Sequence, residues 1–210
     1  STMIAVGTQA LSARRYGEGD EHAAGQVVNH AAIFGLVISI VATAIVLLSL
    51  EYLFPQIHSN PRVVELGVEY SEYRFYGLVS MVVTIVFKGF FDGIGRTKVH
   101  MVAAIVMNCV NIILNYCLIF GVGPFPQMNV AGAGLASLIA TYVGLAVMLW
   151  FTFVPSTRRK FRLYRRSGYR WSITSSIIKV GVPGGIATLF LMTGFAFFLG
   201  IVARLDMNII

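Results

Sequence analysis

The stretch VHMVAAIVMNCVNIILNYCLIFG, residues 99–121, contains no Asp, Glu, Lys or Arg. A helix rises about 1.5 Å per residue, so about 20 predominantly apolar residues cross the hydrocarbon core of a bilayer. The stretch is long enough, and it reads as a membrane span. On either side of it, residues 28–54, 73–92, 130–154 and 175–203 meet the same criterion. The 210-residue chain is 57% hydrophobic with 21 further glycines, only 12% of its residues are charged, and its mean hydropathy is +0.77. Soluble domains carry about 25% charged residues. The composition excludes a disordered chain and a water-soluble globule, and the predicted fold class is an all-α, polytopic transmembrane helix bundle.

The ends of the sequence read differently from its middle. Ser1 to Ala13 supplies half a span and stops at Arg14-Arg15, and Arg204 to Ile210 resembles the start of a loop. The expectation is a fragment of a longer protein that begins inside a helix. No basic region precedes the leading apolar stretch, so it is not read as a signal peptide.

The 16 Lys and Arg exceed the 9 Asp and Glu by 7, a balance that elsewhere points to nucleic acid. Their positions argue otherwise. Arg14 and Arg15, then Lys88, Arg96 and Lys98, then Arg158, Arg159, Lys160, Arg162, Arg165, Arg166, Arg170 and Lys179 fall on one side of successive crossings. Only Arg62, Arg74 and Arg204 fall on the other. Cytoplasmic connections collect Lys and Arg, so the first side is expected to be cytoplasmic and the loop from Pro55 to Arg62 external. The run from Arg158 to Arg170 is then a product of topology, with contact to anionic lipid as an additional possibility and no nucleic-acid partner.

Most other motifs have plain structural readings. Tyr16-Gly17-Glu18-Gly19-Asp20 predicts a tight turn, with Asp20 or Glu18 near a helix start where the dipole favours an acid. Phe91 to Lys98 has the glycines of a phosphate loop but no preceding strand, so it predicts a short connection. Pro124 and Pro126 are expected to end one span, and Asn129 to precede the next. Glu65, Glu69 and Glu72 share one helical face, read as solvated or as an acidic vestibule for cations. Cys109 and Cys117 lie inside one apolar run, and His22, His30, His58 and His100 form no i, i+4 metal pair. With no triad order and no HExxH pattern, the sequence offers neither an enzyme nor a cofactor.

Polar residues at membrane depth are the candidates for function. Asn108, Asn111 and Asn115 fall within an arc of roughly 60° on the span at 99–121. Carboxamides can coordinate a cation or bond a drug's polar groups, and they can equally join two helices, so spacing leaves both readings open. In the next span, Ala131 to Ser137 is made almost wholly of small residues, which lets helix backbones approach, while Ser137 and Thr141 could face a cavity. Gly181, Pro183 and Gly184 predict a hinge near the cytoplasmic end of the last span, because proline removes a backbone donor and glycine loosens the helix.

Several of these segments together resemble one family, the multidrug and toxic compound extrusion (MATE) transporters. The resemblance lies in Gln9 to Asp20, Phe91 to Lys98, Asn111 to Gly121, Val130 to Ser137 and Lys179 to Pro183, and their order resembles that family's second to seventh helices. It implies a twelve-helix exporter of two lobes, with residues 1–154 most of the first lobe, 155–174 a basic linker and 175–210 the first helix of the second. Such a protein would exchange Na⁺ or H⁺ for cytoplasmic, often cationic and aromatic, compounds across the inner membrane. The resemblance further implies that Asn111 and Asn115 match the family's polar pair and Ser137 its hydroxyl position. Members often have Asp at the place of Asn115 and Thr at that of Ser137. The family's acidic residue on its first helix precedes this sequence, and Leu191 stands where many members have a carboxylate. A related lipid-linked oligosaccharide flippase and a non-transporting membrane scaffold are the alternatives.

Overall fold

The computed structural model describes residues 2–57, 61–122, 124–164 and 169–206, with the backbone alone at 50–51, 53–57, 61–66 and 200–206. His58, Arg165, Arg166 and the last four residues therefore lie outside the described residues, as do the side chains of Arg62, Glu65 and Arg204. Seven helices follow one another: α1 Thr2–Gly17, α2 Glu21–Ile57, α3 Pro61–Gly93, α4 Thr97–Phe120, α5 Asn129–Phe153, α6 Pro155–Lys160 and α7 Trp171–Asp206. Five of them, α2, α3, α4, α5 and α7, are long and apolar enough to cross a bilayer.

The helices run past the limits expected from hydropathy. Nothing in a helix ends at the edge of the hydrocarbon, and its backbone bonds continue into the headgroup zone wherever no breaker intervenes. The expected loop from Pro55 to Arg62 is thus helical on both sides, with α3 opening on Pro61, where a missing N–H costs nothing. At the other end of the sequence, the residues read as a linker over 155–174 contain α6 and the start of α7. Neither proline at 124 or 126 stops α4. It ends earlier, at Gly121, whose positive φ of 68° turns the chain so that the Val122 N–H bonds the Cys117 carbonyl at 3.1 Å.

Short connections settle two of the open readings. Asp20 caps α2 by accepting the Ala23 N–H at 2.8 Å. Glu18 does not serve that helix start. It pairs with Arg14 at 2.9 Å and Arg15 at 3.0 Å on the preceding α1, and the Arg14 hydrogen bond comes first among the interactions that hold its carboxyl below the usual carboxylate range.

α3 is the centre of the bundle, touching α1 and α2 on one side and α5 on the other, while α4 leans on α5 and α7 on α1. Small residues explain the close approaches. A methyl group at Gly89 or Gly93 of α3 would come within 2.6 Å of the Ala5 or Gln9 carbonyl oxygen of α1. The run predicted to bring backbones together does so on two faces of α5: Gly132 lies against the Leu118 carbonyl of α4, and Gly134 against Tyr70 of α3. The aromatic core, Phe90, Phe91 and Phe161, packs edge to face at 5.2–5.3 Å and seals the end of the bundle that carries the basic connections.

Candidate functional site

The polar site is built by α4 and α5. Asn115 donates from Nδ2 to Asn111 Oδ1 at 3.0 Å, and Asn111 Nδ2 reaches Ser137 Oγ at 3.4 Å. A directed chain of three side chains therefore joins two antiparallel helices. Ser137, with Thr141 one turn on, also lines a hollow of about 270 Å³ between α3 and α5, together with Tyr73, Phe75, Gly77 and Met81. The Asn115 Oδ1 atom is buried and has no hydrogen-bond partner among the described residues. A buried amide oxygen without a donor is an acceptor in want of a proton donor or a cation, since leaving it bare costs about 1–3 kcal/mol.

Asn108 does not join this chain. It is exposed and bonds the Ala104 carbonyl of its own helix at 2.9 Å. One turn on from Ser137, the Thr141 hydroxyl is spent on the Leu138 carbonyl at 2.8 Å and lies against Gly77 of α3, and Gly144 faces Met107. The hinge residues are placed against α1. Gly181 packs where a methyl would overlap the Met3 carbonyl, Gly184 touches Val6, and α7 runs through Pro183 without a break in its helical assignment.

A second constellation was not visible in the sequence. The connection after α5 is fastened to α2 by Asn29 and His30. His30 donates from Nδ1 to the Gln26 carbonyl at 2.7 Å, accepts the Arg170 N–H on Nε2 at 2.9 Å, and stacks on Tyr169 at 5.2 Å. Asn29 Oδ1 accepts the Tyr164 N–H at 3.4 Å. Phe161 and Leu163 are buried, and Arg162 and Tyr164, which alternate with them, take positive φ values of 48° and 61°, a conformation uncommon outside glycine. The inward turn of Phe161 and Leu163 is thus what aims Arg162 and Tyr164 outward. Burial also pushes the Tyr164 hydroxyl's pKa up, against a hydrogen bond with Thr152. Only the interleaving of aromatic and basic residues between Arg158 and Trp171 could have hinted at such docking.

Among the described residues no group of three His, Cys, Asp or Glu side chains is placed to hold a metal ion, and both cysteines are free.

Comparison with known proteins identifies the fold and the family. The protein from Thermotoga maritima described as "Probable multidrug resistance protein NorM" is 28% identical over 201 residues, which is 93% of this chain and 42% of that one. An outward-facing multidrug resistance MATE family transporter of the MOP superfamily superposes with a TM-score of 0.78 at 27% identity, covering 93% of this chain and 43% of the other. An inward-facing structure of such a transporter gives 0.73 at 28% identity, with 87% and 40% covered. The chain spans about two fifths of the length of these relatives, the two solved ones being multidrug resistance MATE family transporters. With its apolar helices, this likeness makes the chain part of a multi-pass membrane protein. The MatE family model matches residues 1–117, more than half of the sequence, and the chain belongs to that family.

Proposed function

We propose that this chain forms most of one lobe of an efflux antiporter of the inner membrane. The antiporter exports small cationic or aromatic organic compounds in exchange for Na⁺ or H⁺, with its basic connections in the cytoplasm. Residues 1–154 belong to the first lobe, 155–174 link the lobes and 175–210 begin the second. Alternating access in such exporters rocks two lobes about a shared site near the bilayer midplane. The relatives solved facing inward and outward support that cycle for this chain by similarity.

The observation that carries the reading is the Asn115-Asn111-Ser137 chain with its bare Asn115 Oδ1. Asn111, Asn115 and Ser137 hold the coupling ion, or the water that hydrates it, by their oxygens, and Asn108 lies on the approach along α4. An amide keeps the coordinating oxygen of a carboxylate but takes up no proton, so Asn115 favours coordination over direct protonation. Gly181, Pro183 and Gly184 serve as the hinge of α7, the missing backbone donor at Pro183 loosening the helix beside its contact with α1.

Asn111→Ala and Asn115→Ala in the complete transporter test this, with expression, efflux and ion dependence scored separately. A hydrogen bond between membrane helices is worth about 0.6 kcal/mol, so expression should hold. An ion–amide contact is worth about 1.5–3 kcal/mol, so the ion concentration for half-maximal efflux should rise roughly tenfold or more. Full efflux with unchanged ion dependence in both variants would reduce the chain to interhelical packing. Asn115→Asp should stay active and become more pH-dependent, because it adds a titratable group.

A further inference from the structure

We infer that the end of the bundle bearing the basic connections holds an anionic glycerophospholipid, with its phosphate on Arg158, Arg159 and Arg162 and an acyl chain in the groove between α2, α3 and α5. Two adjoining hollows carry the inference. The first, about 450 Å³, is lined by Phe153, Pro155, Leu163 and the three arginines. The second, about 660 Å³, is walled by apolar side chains, Ile33, Leu36, Val83 and Leu145 among them. Tyr164 lines both.

Position and polarity fit a lipid lying along the bundle. The groove is formed by the halves of α2, α3 and α5 nearest the basic connections; Asn29, His30, Tyr164 and Tyr169 give it a polar rim at that end, and the Tyr142 hydroxyl further along α5 is spent on the Tyr76 carbonyl. Ile33 and Leu36 are 52% and 42% exposed, so no described residue closes the groove along α2.

Charge selects the headgroup. Lys160 is already paired with Glu21 at 2.8 Å, whereas among the described residues none of Arg158, Arg159 and Arg162 has a carboxylate within salt-bridge distance. Guanidinium groups suit phosphate through paired N–H donors, and basic pockets beside transmembrane helices bind anionic headgroups. The left-handed turns at Arg162 and Tyr164 hold the outermost arginine and the shared tyrosine in place, an uncommon backbone that the buried Phe161 and Leu163 maintain. A soluble anion would need only the first hollow. The adjoining apolar groove, walled by membrane-spanning helices, favours a lipid.

Native mass spectrometry of the full-length protein in detergent tests the assignment, with phosphatidylglycerol and phosphatidylcholine titrated in turn. Phosphatidylglycerol should bind about tenfold more tightly. The triple variant Arg158→Gln, Arg159→Gln, Arg162→Gln should lose that preference, while Lys98→Gln, also on the basic side, should keep it. Ile33→Trp, a substitution at the exposed mouth of the groove, should weaken both lipids alike, and millimolar inorganic phosphate should displace neither. Equal binding of the two lipids by the unaltered protein, an unchanged preference in the triple variant, or loss of it in Lys98→Gln would overturn the proposal. Unweakened binding in Ile33→Trp, or displacement by phosphate, would overturn the acyl component and leave a soluble-anion site. Monodisperse elution of each variant in size-exclusion chromatography shows that it is folded. None of these readouts depends on transport, so they stand apart from the ion-coupling test.

Discussion

α3 and α4 are neighbours of similar purpose and opposite surroundings. In the most apolar stretch of α3 half the residues are buried, 50%, against 11% in that of α4, although α4 is the more hydrophobic of the two. Hydropathy in a membrane protein measures compatibility with lipid and says little about contact with protein, because lipid tails are as apolar as leucine. What separates the helices is glycine. α3 has Gly77 facing α5 and Gly89 and Gly93 facing α1, while α4 has no glycine between Thr97 and Phe120 and relies on those of α5. The central helix is the one that other backbones can approach from two sides. α4, which packs mainly on α5 and only lightly on α3, makes its interhelical hydrogen bond with α5.

The comparison predicts the largest effect at Phe90, which is fully buried on α3 against Phe91 and Phe161. Phe90→Ala should cost about 3–5 kcal/mol through the cavity it leaves, and Ile113→Ala, 61% exposed on α4, should stay within about 0.5 kcal/mol. Chemical denaturation in one detergent measures both, and equal shifts would break the contrast between the two helices.

Next comes close approach as such. A methyl at Gly25 of α2 would overlap the Phe161 carbonyl, whereas one at Gly194 of α7 meets nothing within 4 Å. Gly25→Ala should destabilise by about 1–3 kcal/mol, since neither backbone can move alone. Gly194→Ala should be neutral or stabilise by up to about 1 kcal/mol through helix propensity. Thermal unfolding that ranks the two the other way would show that glycine does not set the packing.

The smallest effect is expected outside the membrane, at the turn after α1. The arginines beside Glu18 lower its pKa in the folded state, so its contribution is present above the ordinary carboxylate value and is lost as pH falls through the lowered one. Lys160 has the opposite sign: hydrogen bonding to Glu21 raises its pKa above the usual 10.5, so its contribution persists through neutral pH and is lost only as pH rises past the raised value. Both pairs are solvent-screened. Glu18→Gln should therefore only slightly flatten the fall in melting temperature between pH 7 and pH 3, and a steeper profile in the variant would contradict the assigned sign.

Much of this was legible in order along the chain. The charge-free run at 99–121, with its four counterparts, specifies the spans, because a bilayer demands length and apolarity of every crossing helix. The spacing of Asn111 and Asn115 specifies one polar face, and the run from Ala131 to Ser137 specifies a helix meant for close neighbours. Helix ends were less legible, since hydropathy marks the edge of the hydrocarbon while caps such as Asp20 and Gly121 mark the end of the helix.

The sequence alone therefore determined that this is an all-helical membrane bundle, which helices carry polar faces, and which family's motifs it bears. These follow from the solvent and from covalent periodicity, both readable one segment at a time. Tertiary structure alone decided that Asn111 meets Ser137 while Asn108, on the same face, bonds a carbonyl of its own helix. It also decided that His30 fastens the connection between α5 and α7, and that the arginines after α5 adjoin an apolar groove. Each of these depends on which residue of another helix lies opposite, and that is set by packing between segments tens of residues apart, where no local period in the chain records it.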